Sequence, residues 1–161
     1  MQFPFQKIIS GGQTGADRAA LDWAIAVGLA QGGWCPRGRR AEDGRIPDVY
    51  NLQETAASDY AIRTEWNVRD SDATIIFSIA DVLTGGTQLT QRLALKYHQP
   101  WVQVYAGMGT QQAAARLYDF VVQTPIATLN MAGPRQSEEP LIGEFVTQVM
   151  NAAFGLATDD S

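Results

Sequence analysis

At 161 residues, with 45% hydrophobic and 18% charged residues, the chain has the balance of a folded globular domain rather than a disordered segment. A net charge of −5 argues against a general nucleic-acid binder, whose surface is usually basic, so an anionic ligand needs a locally positive site. The single cysteine, Cys35, excludes an internal disulfide and a multi-cysteine zinc site, and no stretch approaches the roughly 20 apolar residues of a membrane helix.

Short β-like runs alternate with helical spacing along the chain. That alternation predicts an α/β fold: one Rossmann-like, doubly wound, mainly parallel sheet with helices on both faces. Residues 7–10 read as a first strand, broken by Gly11 and Gly12, and 17–27 as a helix stopped by Gly28. A short strand follows at 31–35, then a polar loop over 37–50. The spacing predicts a helix over 58–70 and, at 73–79, the clearest strand, an almost continuous apolar run of the kind buried on both faces. Beyond the loop at 83–87 the expectation is a helix at 87–97, a strand at 101–105, a helix at 110–121 and a strand at 126–132. A loop at 133–139 then leads into a closing helix at 139–154. The expected organisation is one ligand-binding domain over 1–156 with a frayed tail at 157–161. Residues 1–10 show no charged leader and no long apolar run, so the expected location is the cytoplasm.

Chemistry concentrates where strands end. Ser10, Gly11, Gly12, Gln13, Thr14, Gly15 and Asp17 lie between the first strand and its helix. Glycines let backbone approach a ligand closely, the amides of a helix start point at an anion, and Thr14 and Ser10 offer hydroxyls. The spacing is neither the dinucleotide fingerprint nor a P-loop, and the same residues also serve as a plain tight turn with Asp17 as a first-turn acid. Gly85, Gly86, Thr87 and Thr90 form a second such loop, and the loop carrying Arg135 a third. In a parallel sheet these loops share the carboxyl edge of the strands, where ligands bind, so together they point to a site for a phosphate-bearing small molecule.

Arg37, Arg39 and Arg40 supply positive charge suited to gripping phosphate, or else form a solvated basic turn. Arg63 and Asn67 share a helix face and are further candidates for the pocket, as are Asp70 and Asp72. Cys35 reads as a small buried hydrophobe and His98 as a helix-terminus residue. No serine–histidine–acid grouping and no metal-ligand spacing is present.

The run Ile9-Ser10-Gly11-Gly12-Gln13-Thr14-Gly15-Ala16-Asp17-Arg18 resembles the opening of the molybdenum cofactor carrier family. Gly33-Trp34-Cys35-Pro36-Arg37-Gly38-Arg39, Ser71-Asp72-Ala73-Thr74, Gly85-Gly86-Thr87 and Leu129-Asn130-Met131-Ala132-Gly133-Pro134-Arg135 extend the likeness over most of the chain. That family sits in a Rossmann-like group with lysine-decarboxylase-like phosphoribohydrolases and DprA-type proteins. The resemblance implies molybdenum cofactor or a related pterin phosphate as the bound ligand, and assembly as a homo-oligomer. By motif, Gly11, Gly12, Thr14, Gly15 and Asp17 form one ligand loop and Gly85, Gly86 and Thr87 its partner, with Arg37 or Arg135 neutralising charge.

The phosphoribohydrolases carry a glutamate three residues after the glycine-rich Gly-Thr. Here that position is Thr90, which favours binding and carrying over hydrolysis. The alternatives are nucleotide N-glycosidic hydrolysis using Asp17 or Asp72, and a nucleotide-sensing module.

Overall fold

A computed structural model of the chain describes residues 2–156. The apolar run of the sixth strand makes it the most enclosed: β6 (Ala73–Ser78) is buried at every residue, as a strand covered on both faces requires. With it β1 (Lys7–Ile9), β2 (Ala30–Cys35), β5 (Leu52–Glu54), β7 (Trp101–Tyr105) and β8 (Thr128–Ala132) pair in the order β5-β2-β1-β8-β6-β7. Every pairing in this six-stranded sheet is parallel. The expected tail at 157–161 lies outside the described residues.

Helices cover both faces of the sheet. α1 (Ala16–Val27) buries Ala20, Leu21, Trp23 and Ala24 and stops at Gly28, whose φ of 78° suits glycine. It packs with α4 (Thr110–Gln123) and α5 (Ile142–Ala153) on one face, against Ile8, Ile75, Phe77, Leu129 and Met131. Each such enclosed aliphatic or aromatic side chain stabilises the fold by about 1.5–3 kcal/mol. On the other face lie α2 (Tyr60–Arg69) and α3 (Gly85–Lys96), joined at their carboxyl ends by a small cluster of Val68, Leu93 and Ala94. The two helices meet at one end, and the cleft described below is lined by both.

The segment expected as a plain loop over 37–50 contains a small antiparallel hairpin, β3 (Arg40–Ala41) and β4 (Gly44–Arg45). Its strands are two residues each and polar, and carry no hydrophobic periodicity. Arg39, placed by sequence in a basic cluster, is 8% exposed. Its guanidinium donates to the carbonyls of Ile46, Pro47, Tyr50 and Leu52 at 2.7–3.3 Å. These four bonds fold the segment onto Leu21, Cys35, Ile46 and Tyr50 and hold Arg39 at a positive φ of 53°. Among the described residues no helix is long and apolar enough to cross a membrane.

Candidate functional site

Asn67 fixes the position of α2. Its carboxamide accepts from Trp34 N at 2.8 Å and donates to Trp34 O at 3.0 Å, extending the hydrogen bonding of β2 with a side chain. The amino end of the helix is capped by Asp59, which accepts from Ala61 N at 2.7 Å. One turn before Asn67, Arg63 is thereby carried over Gly11. A Cβ on Gly11 would lie 1.8 Å from Arg63 Nη1 and 2.9 Å from Asp17 Oδ2, so only glycine leaves room for this pair.

Arg63 Nη1 donates to Asp17 Oδ2 at 3.1 Å, with side-chain exposures of 17% and 4%. Gln13 N also donates to Asp17 Oδ2, at 3.2 Å. Burial pushes the Asp17 carboxyl above its ordinary value, and the Arg63 guanidinium beside it opposes that shift. Arg63 Nε is buried without a hydrogen-bond partner, so the guanidinium keeps donor capacity after meeting Asp17.

This pair sits in a cleft of about 440 Å³ between α2 and α3, at the carboxyl ends of β6 and β8. α2 contributes Tyr60, Arg63, Thr64 and Asn67; the first turns of α3 contribute Gly86, Thr87, Leu89 and Thr90. The floor and far side come from Ser78, Ile79, Asn130, Met131 and the segment from Gly133 to Arg135. The start of α3 is open: a Cβ on Gly85 or Gly86 would meet nothing within 4 Å. Thr87 Oγ1 donates to Thr84 O at 2.6 Å and Thr90 Oγ1 to Gly86 O at 3.0 Å, so both hydroxyls present lone pairs rather than protons to the cleft. The donors available at this end are the first backbone amides of α3 and Arg63.

Of the sequence candidates, Gly11, Asp17, Arg63, Gly86, Thr87, Thr90 and Arg135 line this one cleft. Gly85 adjoins it at the start of α3. Ser10, Gly12, Gln13, Thr14, Gly15 and Arg37 are not among its lining residues. Ser10 Oγ donates to Met131 O at 2.6 Å. Gly12 packs on Leu52 and Ile46, and Gln13 is 2% exposed with Nε2 on Arg40 O. Gly15 has a φ of 82°, and a Cβ there would fall 2.6 Å from Pro134 O. Ala16 N, at the start of α1, donates to that same carbonyl at 3.2 Å.

Thr14 donates to Glu42, on the hairpin turn, and accepts from Gln136 N at 3.1 Å. Glu42 also accepts from the Ser137 hydroxyl and amide, which holds its carboxyl below its ordinary value, while Arg18 pairs with Asp43. The loop between β1 and α1 is therefore tied to the hairpin and to the loop after β8 through the side chains of Ser10, Gln13 and Thr14, while Gln13 Oε1 stays buried without a partner.

Arg37 is exposed and its amide donates to Ala57 O. Asp70 pairs with Arg69 and accepts from Trp34 Nε1. Asp72 accepts from the amides of Ala127 and Thr128, at the start of β8 and the opposite end of the strands from the cleft. Asn130, which sequence reasoning quoted only within a motif, is 3% exposed and on the cleft floor. A polar residue amid the apolar strand 126–132 was the available signal.

A family model described as "Circularly permutated YpsA SLOG family" matches residues 8–154. A crystal structure from Syntrophus aciditrophicus SB, named "Putative molybdenum carrier protein", is similar with a TM-score of 0.91 and 44% sequence identity. The likeness covers 93% of this chain and 95% of that one. No curated protein matches the chain. With the family model spanning nearly the whole parallel sheet and every residue of the cleft, the chain belongs to the circularly permutated YpsA branch of the SLOG family.

Proposed function

We propose that the cleft between α2 and α3 binds a phosphate-bearing small molecule, held rather than transformed, with molybdenum cofactor or a related pterin phosphate as the first candidate. The observation that carries this reading is Arg63: a guanidinium 17% exposed that lines the same cleft as the open start of α3, with its Nε enclosed and without a partner. A guanidinium and the free amides of a helix start are complementary to a phosphate group, and Asp17 holds the guanidinium in place. The name of the Syntrophus structure supports molybdenum cofactor as the cargo. A cleft of about 440 Å³ is in the range of sites that enclose small ligands.

The test is thermal unfolding of the purified protein with molybdenum cofactor, nucleoside mono-, di- and triphosphates, and inorganic phosphate. A ligand at one hundred times its Kd stabilises the native state by about 2.7 kcal/mol, a rise of roughly 5–10 °C for a chain of this size. A selective rise with the cofactor supports the carrier reading, and no rise with any phosphate compound refutes it.

Asp17 gives a second reading its footing, because a buried carboxyl with a raised pKa in a cleft is the setting of an acid–base catalyst. That reading is nucleotide N-glycosidic hydrolysis. It predicts release of free base from nucleoside monophosphates, lost in Asp17→Asn with binding retained.

A further inference from the structure

Asp17 and any anion held by Arg63 draw on one cation. The carboxyl accepts from Arg63 Nη1 at 3.1 Å and from Gln13 N at 3.2 Å, both on Oδ2, so neither bond engages Oδ1. The Ser10 hydroxyl stands beside the carboxyl but donates to Met131 O at 2.6 Å. From β2, the Cys35 thiol lies within the field of Arg63 and is kept neutral by burial. The other charged residues of the cleft sit on the loop after β8: Arg135, already paired with Glu138 at 2.8 Å, and Glu139. The cleft lining therefore carries three carboxylates against two guanidinium groups before any ligand enters.

A fully deprotonated dianion is a poor match for that balance. Two like charges brought to one guanidinium in an enclosed site repel each other, and taking up a proton relieves the repulsion. Asp17, with 4% of its side chain exposed, has little water to screen it, and burial already raises its pKa. The neighbouring hydroxyls cannot supply the proton: Thr87 and Thr90 donate to Thr84 O and Gly86 O and turn lone pairs to the cleft. It has to arrive with the ligand or from solvent.

On the reading of the cleft as a phosphate site, we infer that Asp17 and the bound phosphate share one proton, so that Asp17 selects an oxyanion able to carry a proton over a fully deprotonated one of the same shape. A phosphate group has its second pKa at about 6 and so keeps or regains one proton near neutral pH. Sulfate, also tetrahedral and doubly charged, gives up both protons far below neutrality. A P–O–H group placed against the carboxylate makes a charge-assisted hydrogen bond, whereas a sulfate oxygen there meets only lone pairs. Asp17 is thus the specificity residue of the anion site as well as the partner of Arg63.

The experiment is titration calorimetry of the full chain with inorganic phosphate and with sulfate, slightly above neutral pH. Two buffers of different ionisation enthalpy count the protons taken up. Phosphate, arriving as the hydrogen phosphate dianion, is expected to bind about 10-fold or more tightly than sulfate and to take up no proton. Sulfate binding takes up one proton, and its affinity rises close to tenfold for each unit that pH falls, the slope of one proton. Asp17→Asn, whose carboxamide can donate, brings the two anions within about 3-fold of each other and removes the proton uptake. A role confined to positioning Arg63 would weaken both anions alike and leave their ratio unchanged, which would refute the assignment.

Proton counting on the native chain decides the matter even if Asp17→Asn fails to fold. If sulfate matches phosphate there with no proton taken up, or if the preference persists in Asp17→Asn, the assignment of Asp17 is overturned while the phosphate site stands. If neither anion binds at any pH at which the chain is folded, the phosphate reading itself has failed and the inference falls with it.

Discussion

Gly11→Ala adds one methyl group at the point where the candidate site has no room for it. The backbone of Gly11 lies outside the left-handed region, so the cost is one of space alone. The new Cβ would stand 1.8 Å from Arg63 Nη1 and 2.8 Å from Arg63 Cζ, contacts that atoms cannot keep. The atoms in the way end a flexible side chain, so Arg63 is expected to swing out rather than the sheet to deform. Asp17 then remains enclosed, with 4% of its side chain exposed and its cation gone. Breaking a buried ion pair from one side costs about 3–5 kcal/mol, because an uncompensated charge stays behind. For a chain of this length that lowers Tm by roughly 6–20 °C.

The assay is thermal unfolding followed by circular dichroism near neutral pH, for Gly11→Ala, Asp17→Asn and the double variant. With the carboxylate already replaced by an amide, the added methyl has no stranded charge to create. Gly11→Ala should therefore cost much less in the Asp17→Asn background than in the native one. Equal losses in both backgrounds would show that the methyl acts by distorting the backbone, and the account of Gly11 as the space for the ion pair would be wrong.

Other outcomes follow from the same geometry. Asp17 has a folded pKa raised from 3.8, so its contribution to stability is fully present below that value and is lost as pH rises through the raised one. Asp17→Asn should flatten that part of the stability–pH profile, which a titration of Tm against pH will read. Arg39→Met strands four carbonyls that one guanidinium now satisfies, at a cost of about 2–4 kcal/mol. Faster hydrogen exchange across residues 39–52 with unchanged phosphate affinity would separate this role from ligand binding. Glu42→Ala removes the acceptor that joins Thr14, Ser137 and the hairpin turn, and should increase proteolytic cleavage around residues 36–48 and 133–140 while the sheet persists. Arg63→Gln should weaken phosphate binding at least 10-fold, and Arg37→Gln should leave it unchanged, as titration calorimetry will show.

The parts of this fold legible in the sequence are those in which burial writes a pattern. The continuous apolar run of β6 and the helical spacing of α1 and α5 each carry enough apolar residues to declare their type. β5 was invisible because Leu52, Gln53 and Glu54 form a three-residue edge strand whose last two residues are exposed. The hairpin was hidden for a related reason: side-chain bonds from Arg39, Thr14 and Arg18 hold it, rather than an apolar face. α3 begins two residues before its expected start because Gly85 and Gly86 read as loop, while in the fold they open a helix into empty space.

The site follows the same division. That strand-end loops gather at one edge is a property of parallel sheets, and Asp17, Arg63 and Gly86 do meet there. Sequence could not show that the loop between β1 and α1 is closed by Glu42 from the hairpin, or that the Thr87 and Thr90 protons are taken by backbone carbonyls. Glu42 is distant in sequence from Thr14, and the acceptors of Thr87 and Thr90, though only three and four residues away, depend on side-chain rotamers that a sequence does not declare. These bonds take the Thr14, Thr87 and Thr90 hydroxyl protons out of play and leave backbone amides and Arg63 as donors.

The central claim is that the phosphate of a ligand sits between Arg63 and the start of α3. The most direct measurement is an amide-resolved NMR titration of ¹⁵N-labelled protein with inorganic phosphate. The account predicts saturable shifts centred on the amides of Gly85, Gly86 and Thr87 and on Arg63 Nε–H, and their loss in Arg63→Gln. Shifts centred instead on Gly12 to Ala16, with Gly85 to Thr87 unmoved, would contradict it.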